Sequence, residues 1–514
     1  MKLSRLLKDV GYKNHSPRIL AGEITGIATD HRKVKRGDVF IALKGENFDG
    51  NDYVTDAIIN GASAVVSEVR HNLPECIQVD DARKAYALIS KHFYEDVCDK
   101  LKIVAVTGTN GKTTVCNTVA DILRRSGKRV GVIGTLGANI DGQVFDTGMT
   151  TPDPDKLHEI FKKMYDDGKE YVVMEASAHA LALKKLEGIT FEVGVLTNIT
   201  EDHLDFFGDM ETYAKAKFKL FDKNRVKKAV ICKGKVFDEK LLESVKVPYV
   251  TYGLEESGDK KHLSAEVLKK DFCGSYFFAK FKGREYIVKT PLVGLYNIEN
   301  VLASIGVCDW LGLTMEDIVK GISITMPVEG RFNVVHVKGL NIIIDFAHTP
   351  DGLENVLSTT RELATDLLVV IFGCGGNRDK LKRPIMGEIA SRIADEVILT
   401  SDNPRYEKPM SIINEIRKGI KSGKVKAIAD RRGAIEYALE KYPPGTTIVI
   451  AGKGGEQYQD IGGIKYPYND LDVVKNFIIK RYKMNQPFKE SEPPVVKQDD
   501  LQQDSDRVYG DIEL

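Results

Sequence analysis

The residues best suited by type and spacing to do chemistry are TGTNGKTT, residues 107–114. The β-branched run IVAVT leads into them. VCNTVADILRRSG follows, with Val115, Val119, Ile122 and Leu123 on one helical face. Gly108 and Gly111, on either side of Thr109 and Asn110, let the backbone fold so that its N–H groups point at phosphates, and the helix start adds positive dipole. Lys112 can reach terminal phosphates and the Thr113 hydroxyl can take Mg²⁺, with Thr114 closing the motif. The spacing GxxGKT is shorter than the usual GxxxxGKS/T. Strand, loop and helix nevertheless fall where a nucleoside triphosphate site needs them, and a plain glycine turn before a helix is the competing reading.

Other chemically suggestive sequences also follow apolar runs. They are EASAH (175–179), TNITEDHLD (197–205), DFAHTPDG (345–352), FGCGGNRDK (372–380), SDNPR (401–405) and AGKGGE (451–456). Ligands of open parallel sheets bind outside the carboxyl ends of the strands, so these loops describe two ligand-lined sheet edges. If the two edges face each other across a cleft, one active site results. Glu175 follows YVVM, where a carboxylate could hold magnesium, an ion that prefers oxygen ligands. His203 is a further candidate, against the reading of an ordinary core or surface histidine. Lys217 lies in YAKAKFKLFDKNRVKK, where a solvated basic helix face is the simpler account. In SDNPR, Pro404 stiffens the turn and Arg405 offers a planar fork for a carboxylate; a rigid surface turn is the alternative.

Three α/β blocks must position these loops. Strand-like DVFIAL (38–43) and a helix through 82–95 mark the first. KIVAVT (102–107), YVVM, VGVLTN, KAVIC and an expected hairpin near Lys282-Gly283 mark the second. NIIIDF, LLVVIF, EVILT and TIVIAG alternate with helical stretches at 351–364, 383–394, 410–422 and 430–441 in the third, which implies parallel sheets. The expected domains are 1–98, 99–329 and 330–484, with a polar acidic tail, 485–514, too poor in apolar residues to order itself.

Composition narrows the classes. Lys+Arg and Asp+Glu are 74 each, so no global field favours nucleic acid or an anionic membrane. The 7 cysteines are scattered without a C-x-x-C pair, against a disulfide framework or zinc site and in keeping with a reducing compartment. The start has no signal-peptide pattern, and no apolar run is long enough to span a bilayer, so a cytoplasmic protein is expected.

GTNGKTT, MEASAH, TNITEDHLD, YAKAKFKLF, GLYNIEN, EGRF, DFAHTPDGLE, FGCGGNRDKLKRPIMG, DNPR and GKGGE together, in this order, resemble the motifs of the Mur ligases. TDHRKVKRGDVFIALKGENFDG (29–50) is similar to the opening domain of the branch that adds the third stem-peptide residue to UDP-N-acetylmuramoyl-L-alanyl-D-glutamate. The resemblance spans about residues 25–480. It implies a UDP-substrate-binding α/β domain, a central P-loop ATPase-like domain and a C-terminal Rossmann-like domain, acting as a monomer. It also implies an ATP-dependent amide ligase working through an acyl phosphate. Lys112, Lys217 and His203 would be catalytic, with Thr113, Glu175, His203 and Lys217 supporting Mg²⁺ and a carbamate on Lys217. Asn297, Arg331 and Asp345 would contact the adenosine side. Thr29, His31, Glu46, Asn47, Phe48, Thr150, Thr151, Ser177 and Lys185 would hold the UDP substrate.

By the same resemblance DNPR marks the members that take meso-diaminopimelate, which carries a second amino-carboxylate group that lysine lacks. Arg405 and Arg378 would meet its carboxylate, while Asp402, Asn403 and Glu456, beside Pro404 and Gly452, would orient its ammonium. The chain departs from the family pattern at His31, Ala178, Leu183, Lys185, Asn377 and Gly455. Those at His31, Leu183, Lys185 and Gly455 motivate one rival, a diverged Mur ligase adding another amino acid, such as L-lysine, or using another nucleotide-linked acceptor. Folylpolyglutamate synthase, which should lack the first domain, and a non-catalytic nucleotide-binding scaffold are the others.

Overall fold

The apolar runs become strands buried along nearly their whole length, as expected where helices cover both faces of a parallel sheet: Lys102–Thr107, Tyr171–Glu175, Leu368–Phe372 and Thr447–Ala451 expose only Lys102. The computed structural model describes residues 1–13, 17–45, 48–235 and 239–482. Glu46, Asn47 and the expected tail lie outside the described residues.

The chain divides into two compact units. One comprises Met1–Glu266, Phe278–Val288 and Leu295–Thr325; the other comprises Val267–Phe277, Lys289–Gly294 and the chain from Met326 onward.

In the first unit a small sheet has the order Tyr12–Lys13, Cys76–Val79, Ala64–Ser67, Asp38–Ile41, Gly26–Ala28, parallel except for Tyr12–Lys13. Leu3, Leu6, Val39, Ile41, Val66, Ile77 and Ile89 form part of its core. The larger sheet includes, in order, Tyr249–Tyr252, Val226–Cys232, Phe191–Leu196, Lys102–Thr107, Tyr171–Glu175, Val130–Gly134, Gly137–Ile140 and Gln143–Phe145. Lys102–Thr107 is therefore flanked on both sides by parallel partners, and the chain crosses over it in opposite directions. Such a switch point opens a crevice at the strand's carboxyl end. On the following helix, Lys112–Arg125, the four expected core residues Val115, Val119, Ile122 and Leu123 are all fully buried.

In the second unit the order is Asn333–Val337, Leu340–Asp345, Thr447–Ala451, Leu368–Phe372, Glu396–Leu399, Lys424–Ala427, parallel apart from the first pair. The register aligns Asp345 with Ala451 and Phe372 with Leu399, so the loops after these four strands leave from one edge. The helices found are Pro350–Leu363, Lys382–Ile393, Pro409–Arg417 and Arg431–Lys441, close to the expected stretches except that the third ends earlier.

The hairpin expected near Lys282-Gly283 is present as Gly274–Phe281 and Arg284–Thr290. A second hairpin, Tyr458–Ile461 with Ile464–Pro467, does not stand out in the sequence, because its strands are short and largely exposed. No helix among the described residues is long and apolar enough to cross a membrane.

Candidate active site

Gly108 and Gly111 adopt φ of 143° and 86°, and a side chain at either would overlap a neighbour, the Thr197 hydroxyl or the Asn300 amide oxygen. The loop is thus wrapped tightly by TNITE and by the helix Leu295–Trp310. The Thr109 N–H donates to Asn198 O and the Asn110 N–H to Asn198 Oδ1, each at 2.9 Å. These two donors face the neighbouring loop. Lys112 Nζ donates to Gly108 O at 3.0 Å and Thr109 O at 2.8 Å, curled over its own loop.

Glu175, 1% exposed, is the hub beside the loop. Its Oε1 accepts from Thr113 Oγ1 at 2.9 Å and from the Thr135 N–H at 3.0 Å, and Oε2 accepts from Thr135 Oγ1 at 3.1 Å. A hydroxyl from the first helical turn and a strand-end carboxylate make a hard oxygen pair. That fits magnesium, which keeps waters and substrate phosphates as its remaining ligands.

Lys217 is 1% exposed in the helix Met210–Phe218, which overturns the solvated-face account. Its Nζ lies 4.3 Å from the centre of the Tyr213 ring. Burial, reinforced by the charge of Lys112, holds the Lys217 ammonium well below the ordinary lysine range, with Asp202 opposing. His203 sits at φ 56°, its N–H bonded to Asp202 Oδ1 at 2.9 Å and its ring edge-on to His179 at 4.7 Å. Asn297 is buried and accepts from Asn300 Nδ2 at 3.0 Å, one step from Gly111.

Three of the expected UDP-substrate residues gather on the Glu175 strand end. Thr151 Oγ1 donates to Glu175 O at 2.9 Å and accepts the Ser177 N–H at 3.0 Å, while Thr150 Oγ1 lies 3.1 Å from Thr135 Oγ1. Ser177 caps the short helix after EAS, its Oγ accepting from Ala180. Lys185 pairs with Asp153 at 2.7 Å. Thr29, His31 and Phe48 lie beyond the strand Gly26–Ala28, with no described hydrogen bond to that group. The imidazole that replaces a hydroxyl at His31 stacks on Tyr53, centroids 4.3 Å apart and planes 6° apart.

In the second unit, Asn403 is the centre of the SDNPR loop. Its Oδ1 accepts from Lys453 Nζ at 3.0 Å and from the Asp460 N–H at 2.9 Å, and its Nδ2 donates to Glu456 Oε2 at 2.9 Å. Lys453, fully buried, also donates to Glu456 Oε2 at 2.7 Å. Both described bonds of Glu456 fall on one oxygen, Oε2. Asp402 Oδ1 accepts the Asn403 N–H at 2.6 Å. A side chain at Gly452 would come within 2.6 Å of Asp402 Oδ2.

Arg405, at φ 50°, donates through Nη1 to Gly376 O at 2.8 Å, and its Nε lies 3.8 Å from Asp460 Oδ2. Pro404, which fixes this turn, is buried. The Arg405 Nη2 edge has no described partner. Arg378 is exposed without a described ion pair, and a side chain at Gly375 would touch both Arg405 Nη1 and Arg378 Cγ.

The departures fit their surroundings locally. Asn377 takes φ 52°, which asparagine tolerates, and its Oδ1 accepts the Tyr406 N–H at 3.1 Å. A Cβ at Gly455 would come 2.8 Å from Glu329 O, because the EGRF and GKGG loops pack backbone to backbone.

Asp345 accepts from the N–H groups of Phe332 and Ala347, each at 2.7 Å. Burial pushes its carboxyl up to about 6 despite the nearby Arg331 charge. Arg331 stacks over the Phe346 ring at 4.4 Å.

Lys453, Asn198, Thr135 and Tyr213 are absent from the sequence expectations. Lys453 lay within a quoted motif, but nothing in the sequence distinguishes a buried lysine from a solvated one.

A parallel-sheet nucleotide-loop unit and a second sheet edge carrying acid, amide and arginine define an ATP-type ligase architecture, and the comparisons agree. Residues 23–99 match the model described as Mur ligase family, catalytic domain; 106–308 match the Mur ligase middle domain, and 330–454 the Mur ligase, glutamate ligase domain. The chain belongs to the Mur ligase family. It is 38% identical over 488 residues to UDP-N-acetylmuramoyl-L-alanyl-D-glutamate--2,6-diaminopimelate ligase 1 of Clostridium acetobutylicum, covering 93% of this chain and 99% of that one. The Aquifex aeolicus ligase of the same name, without the numeral, is 40% identical over 458 residues, 88% of this chain and 94% of its own. A solved structure of a 2,6-diaminopimelate ligase superposes with TM-score 0.68 at 31% identity, covering 94% of this chain and 99% of that one.

Proposed function

We propose that this Mur ligase joins meso-diaminopimelate to the D-glutamate carboxylate of UDP-N-acetylmuramoyl-L-alanyl-D-glutamate, cleaving ATP to ADP and phosphate. The reaction would serve peptidoglycan precursor synthesis in the cytoplasm. A carboxylate is a poor electrophile, so its oxygen first attacks the γ-phosphorus and ADP leaves. The amine then attacks the acyl carbon, and phosphate leaves with the amide formed. Such chemistry asks the protein for charge neutralisation and alignment rather than covalent steps.

Lys112 exchanges its two carbonyl partners for phosphate oxygens. Thr113 and Glu175 would hold magnesium, which supplies charge neutralisation on the phosphates. Thr109, Asn110 and Thr114 complete the loop, while Asn297, Arg331 and Asp345 serve the adenosine side. A neutral buried amine at Lys217 is the form able to add to CO₂, and the carbamate left after release of a proton would place an anion beside the metal. His203 supports this arrangement. Thr29, His31, Phe48, Thr150, Thr151, Ser177 and Lys185 hold the UDP substrate, within domains bounded near 98, 329 and 484.

The observation that carries the amine assignment is the SDNPR loop. An open guanidinium edge at Arg405 and an open carboxylate oxygen at Glu456 flank the amide of Asn403, whose oxygen already accepts two bonds, the complement of an amino-carboxylate group. Arg378, Asp402, Pro404 and Gly452 complete it. Phosphate release should require ATP, the UDP-dipeptide and diaminopimelate together; release independent of the UDP-dipeptide contradicts the reading.

A further inference from the structure

The loops bearing Arg378 and Arg405 are joined through a side chain with no described hydrogen bond to either arginine. Arg383 lies in the first turn of the helix Lys382–Ile393 and is fully buried. Its Nη1 donates to Glu407 Oε2 at 2.9 Å and to Glu415 Oε2 at 2.7 Å. Its Nη2 donates to Glu407 Oε1 at 3.0 Å and to Gly375 O at 3.1 Å. Glu407 Oε1 also accepts the Asn377 N–H at 2.6 Å.

One guanidinium therefore clamps Gly375 and, through Glu407, Asn377, on the loop that carries Arg378. Glu407 itself lies two residues beyond Arg405. Tyr406 N–H to Asn377 Oδ1 and Gly376 N–H to Asn403 O complete the seam at 3.1 and 2.9 Å. Bidentate Arg–carboxylate pairing fixes angle as well as distance, which a lysine at this position could not do. The Arg383 hydrogen bonds hold the Glu407 carboxyl down at about 2, so the clamp stays charged at neutral pH.

We propose that Arg383 and Glu407 are positioning residues that set the spacing between Arg378 and Arg405 and thereby the fit of the amine's distal carboxylate. This rests on reading that loop pair as the amine site. The clamp is a built scaffold rather than a spare ion pair, because its buried cation reaches two loops and a following helix at once. Loosening it costs amine affinity and selectivity while leaving the phosphate loop of the other unit untouched.

The test compares wild type, Glu407→Gln, which keeps the shape and the Asn377 acceptor, and Arg383→Lys, which keeps the charge. The expected result is a KM for diaminopimelate raised about tenfold in both, with KM for ATP and kcat at saturating amine within about threefold of wild type. The ratio of kcat/KM for diaminopimelate over L-lysine should fall in parallel. An unchanged KM with a smaller active fraction and a lower unfolding midpoint would reduce the clamp to a structural role and overturn the proposal. If wild type itself does not use diaminopimelate, the assigned amine has failed instead, a result visible before either variant is measured.

Discussion

The Thr113 hydroxyl donates to Glu175 Oε1 at 2.9 Å, joining the first turn of the phosphate-loop helix to the end of the adjacent parallel strand. The carboxylate keeps two contacts from Thr135 if that hydroxyl is lost. Thr113→Val should therefore fold normally but lose about 10–100-fold in turnover, with a higher magnesium requirement. Steady-state rates across a magnesium titration, with thermal unfolding as control, check this. A collapse of stability would mean that the pair serves the core.

Lys217 yields a chemical prediction. Equilibration with ¹³C-labelled bicarbonate should give a carbamate carbon resonance in wild type that is absent in Lys217→Arg, together with loss of turnover. An active Lys217→Arg variant would remove the carbamate from the account.

Asp345 predicts a pH dependence of stability. Its ionised form is disfavoured by burial, so the folded protein keeps a proton up to about pH 6, whereas the unfolded chain releases it near the ordinary value of 3.8. The folded state binds more protons in that window. Its contribution is full below about pH 3.8 and is lost as pH rises through 6, by about 2–3 kcal/mol. The difference in unfolding midpoint between wild type and Asp345→Asn, measured from pH 4.5 to 7.5, should shift toward the variant as pH rises. A constant difference contradicts the buried-proton reading.

Much of this architecture is legible in the sequence because phosphate loops and parallel strands impose local rules. Gly108 and Gly111 are needed by backbone conformations that other residues rarely adopt, and Leu368–Phe372 reads as buried because it is apolar throughout. Pairings between distant positions are not legible in the same way. Lys453 meets Asn403 across 50 residues, and Arg383 reaches Glu407 across 24, with nothing local to announce either. The burial of Lys217 was not legible, since YAKAKFKLF shows no apolar stripe that would predict it and the resemblance supplied only a role beside the metal. The hairpin Tyr458–Pro467, which seats Arg405 against Ile461, is written in half-exposed residues without clean alternation.

Arg405 carries a backbone cost with its proposed role. A non-glycine residue at φ 50° is disfavoured by roughly 1 kcal/mol, and asparagine tolerates that region better. Arg405→Asn should leave the unfolding midpoint nearly unchanged, as relief of strain offsets the lost bond to Gly376. Discrimination between diaminopimelate and lysine should fall roughly 100- to 1,000-fold, the cost of an unmatched buried charge. Equal losses in ATP affinity would point to a structural residue.

The most direct measurement is the ratio of kcat/KM for meso-diaminopimelate over L-lysine, followed by phosphate release with UDP-N-acetylmuramoyl-L-alanyl-D-glutamate, ATP and Mg²⁺. A site built to pair both charges of an amino-carboxylate group predicts a preference for diaminopimelate of roughly 1,000-fold or more. Comparable values for the two amines, or no turnover with either, would contradict the account.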